Sequence, residues 1–261
     1  MDFVIDDGTP EAETHDPAFA RGLVPRDYAT DPPEMFAPPS EIPLIPRSEW
    51  DARIAEQDAQ ESSLEHIWRR TGQPVLDQNP QGYCWAYSTG AAMMAARMAA
   101  NLPVVRLSPH AVACKIMNFR DEGGWCGLSA KFAREYGYPS VTAWPERSMS
   151  RQYDRPETWA DAANHKVVED WVDLTAPHYY YQQLTFDQVA TCLLLNRPCP
   201  VDFNWWGHSV CALRLVRVEA GSYGLRIINS WGSGWGEQGF ATLRGSKAIP
   251  NSALCVRAVT T

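Results

Sequence analysis

The pattern of hydrophobic and polar positions changes near residue 200 of the chain. The first half carries long helical segments, of which "WAYSTGAAMMAARMAA" (85–100) is the most apolar. After Pro200 the apolar segments are short, rich in β-branched and aromatic residues, and separated by glycine-containing turns: "PVDFNWW", "HSVCALRLVRVEA", "YGLRIINS", "GFATLRG" and "ALCVRAV". Helices followed by a meander of strands predict an α+β fold with two facing lobes, a helical one over about 84–183 and a β lobe over about 184–261.

Capping residues predict where the helices begin. Ser62 stands three residues before Glu65, and Thr185 three before Gln188, which is the spacing of a capping box. Another helix begins at Cys84 and ends by "NLP", because proline cannot continue it. Two more helices are predicted in "PHAVACKIMN", with proline at its favoured first position, and in "LSAKFAREYGY".

Residues 1–47 differ from the rest of the chain. They are dense in proline and acidic residues, as in "DPPEMFAPPSEIPLIPRSEW", and show no sustained periodicity. Proline disfavours helix interiors and favours extended backbone, so this segment is expected to be an N-terminal arm or linker ahead of a folded domain at 48–261. A disordered tail, an inhibitory segment over a cleft and an arm that docks on a partner all remain open.

Composition narrows the classes of partner. The net charge is −8 without a basic run, which argues against nucleic acid, and no stretch of 18 apolar residues is present to span a membrane. The start of the chain lacks the basic and apolar regions of a secretory signal, so an intracellular protein, or one carried in an assembled particle, is expected. The seven cysteines include no CxxC pair, so neither a full disulfide framework nor a metal site or other cofactor is expected.

Cys84 is the candidate nucleophile. A thiol reacts as its thiolate, and a helix N-terminus or a neighbouring imidazolium lowers the thiol pKa because each stabilises the anion. Cys84 stands where a helix is predicted to begin. Taken alone, such a cysteine is more often a buried core residue, so the assignment depends on groups elsewhere in the chain.

Those groups are present downstream and upstream. Of the six histidines, only His208 lies in a strand-like setting, where small Gly207 leaves room around the ring. Asn229 follows the next predicted strand and could orient the imidazole, since proton transfer depends on geometry. Gln78, six residues before Cys84, could donate to an oxyanion together with the Cys84 backbone N–H.

The blocks "QGYCWAYS", "GHSV" and "INSWGSGWGEQGF" resemble those of the papain-like cysteine peptidase family. His208 and Asn229 follow Cys84 at 124 and 145 residues, close to the roughly 130–150 residues typical of that family. The resemblance implies Cys84 as nucleophile, His208 as general base and acid, Asn229 as the orienting amide and Gln78 as an oxyanion donor. It also implies a two-lobe fold, with a helical lobe and an antiparallel β-barrel-like lobe on either side of the active-site cleft.

The same resemblance implies further positions around the cleft. Trp231, two residues after Asn229, matches the indole that shields the histidine–asparagine hydrogen bond from water. Gly123, Gly124 and Trp125 resemble the glycine pair along which a substrate backbone binds, and Gly207 flanks the base. The resemblance therefore implies Trp231 as the shielding residue and, as the substrate-binding residues, Gly123, Gly124, Trp125 and Gly207.

Other features depart from the family pattern. Gln81 stands where the family has a second cysteine, Cys114 matches a disulfide position whose only nearby candidate partner is Cys126, and residues 1–47 lack the family's propeptide helix pattern. General features of the chain also resemble papain-like proteins of bacteriophages. The expected function is therefore a cysteine peptidase acting on polypeptides. The alternative is a non-catalytic protein of the same fold, such as a virion component, that uses its arm for partner docking, self-association or assembly.

Overall fold

The strands predicted after residue 200 lie side by side in one sheet. The computed structural model describes residues 3–167, 171–175 and 182–256, and in that part of the chain the sheet has seven strands in the order β1-β6-β5-β4-β3-β7-β2. Neighbouring strands are antiparallel except β1, which pairs with β6 in parallel. The strands are β1 Val4–Ile5, β2 Val172–Asp173, β3 Cys199–Phe203, β4 His208–Glu219, β5 Ser222–Ile228, β6 Phe240–Leu243 and β7 Ser252–Cys255.

The predicted helices after Cys84 form in the first half of the chain and pack onto this sheet. The most buried is α4, which contacts β3 and β4 on one side and the two following helices on the other. Its many alanines allow this close approach, and a helix that is apolar all round is expected in a core. The helices are α1 Glu11–Thr14, α2 Arg47–Ala59, α3 Leu64–Arg70, α4 Cys84–Ala99, α5 Pro109–Ile116, α6 Cys126–Glu135, α7 Pro156–Ala162 and α8 Gln182–Leu194.

The α+β prediction and the start of α4 at Cys84 are confirmed, but both capping boxes are wrong. The N-cap of α3 is Ser63, one residue later than Ser62, and its side chain accepts a hydrogen bond from the His66 backbone N–H. Thr185 lies inside α8, which already runs from Gln182. Helix α2 and helix α7 were not predicted. Their N-caps, Pro46 and Arg155, make no side-chain cap bond, and the proline at the first position of α7 was the one start signal that the sequence offered there.

The described part of the N-terminal arm packs on the domain along much of its length. Its strand β1 extends the sheet, and Phe36, Ile42 and Ile45 are buried in the core. Ala37 forms an isolated bridge with Val172 of β2. The apolar residues interspersed among the prolines therefore cover domain surface. Among the described residues, no helix combines the length and apolar character needed to cross a membrane.

Candidate active site

Cys84 is the first residue of α4 and is fully buried. Both the backbone and the hydroxyl of Ser209 lie in hydrogen-bonding reach of its sulfur, as does the backbone of Gly22 in the arm. Burial raises the pKa of the Cys84 thiol to about 12, although these hydrogen bonds oppose the rise. The thiolate stabilisation expected at a helix N-terminus is thus outweighed by the exclusion of water.

His208 and Asn229 meet across two neighbouring strands. His208 begins β4 and Asn229 follows the last residue of β5, so the antiparallel pairing of these strands brings the two side chains together. His208 Nε2 donates to Asn229 Oδ1 at 2.8 Å, and the same oxygen accepts from the Ser230 backbone N–H at 2.7 Å. An Nε2–H tautomer leaves Nδ1 as the nitrogen that can accept a proton.

Tryptophan rings enclose this pair. Trp231 stacks on the His208 ring with centroids 4.3 Å apart and planes at 26°, and Trp206 meets the same ring edge-on at 4.9 Å. Trp235 contacts both tryptophans. Trp231 thus lies against the ring whose hydrogen bond to Asn229 it is expected to shield. Buried Trp206 contacts the same ring, whereas its chain neighbour Trp205 is half-buried.

Cys84 and His208 do not form an ion pair in this structure. His208 Nδ1 is buried and has no hydrogen-bond partner among the described residues. Burial lowers the pKa of His208 to about 3. The hydrogen bond to Asn229 favours the charged imidazole and acts to raise the pKa, but its effect is smaller than that of burial. With the thiol pKa raised and the imidazole pKa lowered, both groups are neutral near pH 7.

Gln78 is held in place by the segment that carries Asn229. The Ser230 hydroxyl donates to Gln78 Oε1 at 2.6 Å, which turns the amide nitrogen the other way. Gln78 Nε2 donates to the Gln81 carbonyl at 2.9 Å and to the Ala20 carbonyl of the arm at 3.0 Å. The Gln78 amide group, which is expected to donate to a substrate oxyanion, therefore donates to a backbone carbonyl of the arm instead.

The arm also pairs with the glycines expected to bind substrate. The Gly124 N–H donates to the Gly22 carbonyl at 2.9 Å, and the Val24 N–H donates to the Gly124 carbonyl at 2.9 Å. Leu23, between them, forms a parallel bridge with Gly124, and its N–H donates to the Gly207 carbonyl at 3.1 Å. Residues 22–24 therefore lie along the cleft where a peptide is expected.

Aromatic contacts extend the arm's hold on the site. Phe19 stacks on Trp231 with ring centroids 4.9 Å apart, and Trp231 Nε1 donates to the Ala20 carbonyl at 2.8 Å. Trp206 Nε1 donates to the Thr14 carbonyl at the same distance, 2.8 Å. The full burial of Cys84 and His208 is thus due in part to residues 14–24.

Known cysteine proteases are similar to this chain in sequence. No protein-family model matches the chain. It is 31% identical over 214 residues to cysteine proteinase 15A of Pisum sativum and 28% identical over 207 residues to the probable cysteine protease RD19B of Arabidopsis thaliana. Those matches cover 66% and 67% of this chain, but only 55% and 56% of the relatives, so the chain spans little more than half of their length.

Solved structures give the same result for the fold. A digestive procathepsin L2 proteinase from Tenebrio molitor overlaps 95% of this chain and 80% of its own, with a TM-score of 0.59 at 19% identity. The chain has the papain-like fold. Bromelain from Ananas comosus, solved with the inhibitor E64, overlaps 72% of this chain and 95% of its own, with a TM-score of 0.54 at 19% identity. The resemblance drawn from the sequence motifs is confirmed, because the curated relatives are papain-like cysteine proteases.

Sequence reasoning missed a polar group beneath the papain-like site. Asp202 is buried on β3 and accepts from the Ser209 hydroxyl at 2.6 Å and from Cys126 Sγ at 2.9 Å. Burial raises the pKa of Asp202, and the two hydrogen bonds oppose that rise. The strand pattern of "PVDF" did not indicate this role, because the hydrogen-bond partners of Asp202, Ser209 and Cys126, come from other parts of the chain.

The cysteines form no disulfide in this papain-like chain. All seven are free, so the Cys114–Cys126 pairing considered from the sequence is not formed, and Cys126 instead contacts Asp202 and Ser88. Cys192, Cys199 and Cys255, on α8, β3 and β7, have sulfurs within 4.8 Å of one another. They are the side chains of the described chain that could hold a thiophilic metal, a grouping that sequence spacing did not indicate.

Proposed function

We propose that this protein is a cysteine endopeptidase that hydrolyses peptide bonds through Cys84, His208 and Asn229. The observation that carries the proposal is the 2.8 Å hydrogen bond from His208 Nε2 to Asn229 Oδ1, under Trp231 and beside the helix start that holds Cys84. A structural core has no need of a histidine held in one tautomer with its other nitrogen free. The cysteine protease relatives support the same activity.

The reaction begins with transfer of the Cys84 proton to His208 Nδ1. The thiolate attacks the substrate carbonyl carbon, a C–S bond forms, and Gln78 Nε2 and the Cys84 backbone N–H stabilise the oxyanion. The imidazolium then gives its proton to the leaving amine as the C–N bond breaks, which leaves a thioester on Cys84. Water, deprotonated by His208, attacks the thioester, the C–S bond breaks, and the acid product and the thiol are released.

This reaction requires the arm to leave the cleft. The Ala20 carbonyl accepts from the Gln78 amide, Gly22 and Val24 hydrogen-bond to Gly124, and the Leu23 N–H donates to the Gly207 carbonyl, so the positions that a substrate needs are occupied. The overlap with the procathepsin supports such an arm. It covers 95% of this chain, and residues 48–261 alone could not supply that share, so part of the arm is included in the overlap. When water re-enters, the thiol pKa falls and the imidazole pKa rises, since burial is the largest cause of both shifts.

The alternative is a non-catalytic protein of the same fold, including an assembly or virion component. The same occupation of the cleft favours it, because a permanently seated arm would keep Cys84 and His208 buried and neutral. The two proposals differ in one respect that can be measured. An enzyme has an arm that can be displaced to give a reactive Cys84, whereas a structural protein does not.

The test compares the full-length chain with its Gly22→Val variant. A Cβ on Gly22 would lie 1.8 Å from the Gly82 carbonyl oxygen, so a larger side chain there forces the arm out of the cleft. Gly8→Val is the matched control, since a Cβ at Gly8 meets only the Asp6 carboxylate oxygen at 3.4 Å. Each protein is treated with a peptidyl epoxide and analysed by intact mass, and hydrolysis of a denatured protein substrate is followed in parallel.

A single adduct on Gly22→Val that disappears in Gly22→Val/Cys84→Ala, together with hydrolysis that depends on Cys84, is the expected result. The Gly8→Val variant should behave like the unmodified chain. A folded Gly22→Val protein that neither reacts with the epoxide nor hydrolyses the substrate would reject the enzyme and favour the assembly protein.

A further inference from the structure

A buried ion pair joins the arm to the domain just beyond the cleft. Arg26 follows Leu23 by three residues, and its Nη1 lies 2.7 Å from Asp173 Oδ2. The exposed fractions of the two side chains are only 1% and 2%. Asp173 Oδ1 accepts from the Thr175 backbone N–H at 3.0 Å, which fixes the carboxylate on the short strand β2.

The guanidinium lies against an aromatic face. Arg26 Cζ is 4.5 Å from the centre of the Trp125 ring and 4.8 Å from that of Tyr28, and Arg26 Nε donates to the Asp31 carbonyl at 2.8 Å. The Nη2 group is buried and has no hydrogen-bond partner among the described residues. A planar cation between an indole and a carboxylate is a recognition geometry that suits arginine better than lysine.

The groups around Arg26 divide between the arm and the domain. Tyr28 and Asp31 belong to the arm and leave with it. Asp173 and Trp125 belong to the domain, and Trp125 directly follows Gly124, the glycine that pairs with Leu23 in the cleft. When the arm leaves, a carboxylate and an indole therefore remain next to the segment along which a substrate is expected to bind.

Electrostatics make that emptied pocket selective. Among the described residues, Arg26 is the one cation in an ion pair with Asp173. Removing one partner of a buried pair leaves an uncompensated charge, which is strongly unfavourable unless water or another cation replaces the lost group. The charge of Arg26 also acts to lower the pKa of buried Asp202, although burial raises that pKa overall.

We propose that Asp173 and Trp125 form a guanidinium-binding pocket that takes an arginine side chain of the polypeptide substrate once the arm has left. Arg26 occupies the pocket while the arm is seated. That the arginine belongs to a substrate rests on the proposed peptidase function. Binding of a guanidinium group in the pocket can be tested without hydrolysis.

The binding test uses the full-length Arg26→Ala variant and ethylguanidinium at millimolar concentration. The expected result is a rise in the midpoint of thermal unfolding of Arg26→Ala with ethylguanidinium but not with N-ethylurea, its neutral isostere. Neither compound should stabilise Arg26→Ala/Asp173→Asn or the unmodified chain. Equal effects of the two compounds, or an effect that survives Asp173→Asn, would overturn the pocket. If Arg26→Ala does not fold, Arg26→Gln takes its place, since it keeps a hydrogen-bonding group at lower volume.

The substrate test uses Gly22→Val/Arg26→Ala and pairs of peptides in which one arginine is replaced by citrulline, position by position. At one position the arginine peptide should have a kcat/KM at least about tenfold higher, and Asp173→Asn should remove that preference. Hydrolysis without preference at any position would overturn the substrate assignment and leave the peptidase standing. Stabilisation by ethylguanidinium without any hydrolysis would support the pocket and count against the peptidase.

Discussion

His208 donates through Nε2 to Asn229 Oδ1 at 2.8 Å. His208 begins β4 and Asn229 follows the end of β5, and the antiparallel pairing of these two strands places those positions side by side. The hydrogen bond fixes both the tautomer and the orientation of the ring. Loss of the Asn229 amide should therefore impair proton transfer without removing a bond-making group.

We expect Asn229→Ala, made in the Gly22→Val background, to lower kcat/KM about tenfold or more, since a hydrogen bond of about 1–1.5 kcal/mol no longer orients the base. Steady-state hydrolysis measures the change. The control is Asn204→Ala at an exposed turn position, which should leave kcat/KM unchanged. An Asn229→Ala enzyme with full activity would show that His208 needs no orienting partner.

The stacking of Phe19 on Trp231 should keep the arm seated. Phe19→Ala removes this aromatic contact, of about 0.5–1.5 kcal/mol beyond the buried area, so the rate of Cys84 labelling should rise about tenfold. Time-resolved intact-mass labelling gives the rate. Leu44→Ala, at an arm residue that is 43% exposed, should leave the rate unchanged. Equal rates in Phe19→Ala and the unmodified chain would mean that this contact does not control opening.

Burial of His208 should make stability depend on pH. Its pKa is lowered to about 3, whereas the unfolded chain titrates near 6.5, so below about pH 6.5 the unfolded state binds a proton that the folded state does not. The free energy of unfolding then falls as the pH decreases, by up to about 1.4 kcal/mol per pH unit for each such group. Burial also lowers the pKa of His110 to about 4, which adds to this slope.

Urea unfolding at a series of pH values between about 6 and 4 measures this slope. The unmodified chain should lose stability steeply over that window, and His208→Gln should show a slope smaller by about one proton, whatever its absolute stability. An unchanged slope would mean that His208 is already protonated in the folded state.

The N-cap of α3 gives a test of local stability. Ser63→Ala removes the hydroxyl that accepts from the His66 backbone N–H, and should cost about 1 kcal/mol. The neighbouring Ser62→Ala is the matched control and should be nearly neutral, because the Ser62 side chain does not cap the helix. Urea unfolding of both variants distinguishes them. A larger loss for Ser62→Ala would restore the capping box predicted from the sequence.

Local sequence determined the parts of this protein whose signals are local. The apolar segment after Cys84 and the proline that follows it indicated α4, so Cys84 could be placed at a helix N-terminus, and short segments rich in β-branched and aromatic residues indicated β3 to β7. The spacing of Cys84, His208 and Asn229, with Trp231 two residues further, indicated the family before any contact was known. Strand pairing brings His208, Asn229 and Trp231 together, and Cys84 lies against Ser209, the residue after His208.

Only the tertiary structure decided which groups are buried and what occupies the cleft. Residues 20–24 carry no motif, yet their backbone pairs with Gly124 and Gly207, because hydrogen bonding by a main chain leaves no mark on side-chain identity. The position of Asp173 beside Arg26, 147 residues away, likewise depends on chain folding over a long separation. Burial then reverses the charge state that the motif predicts for Cys84 and His208, since a thiolate and an imidazolium need either water or each other.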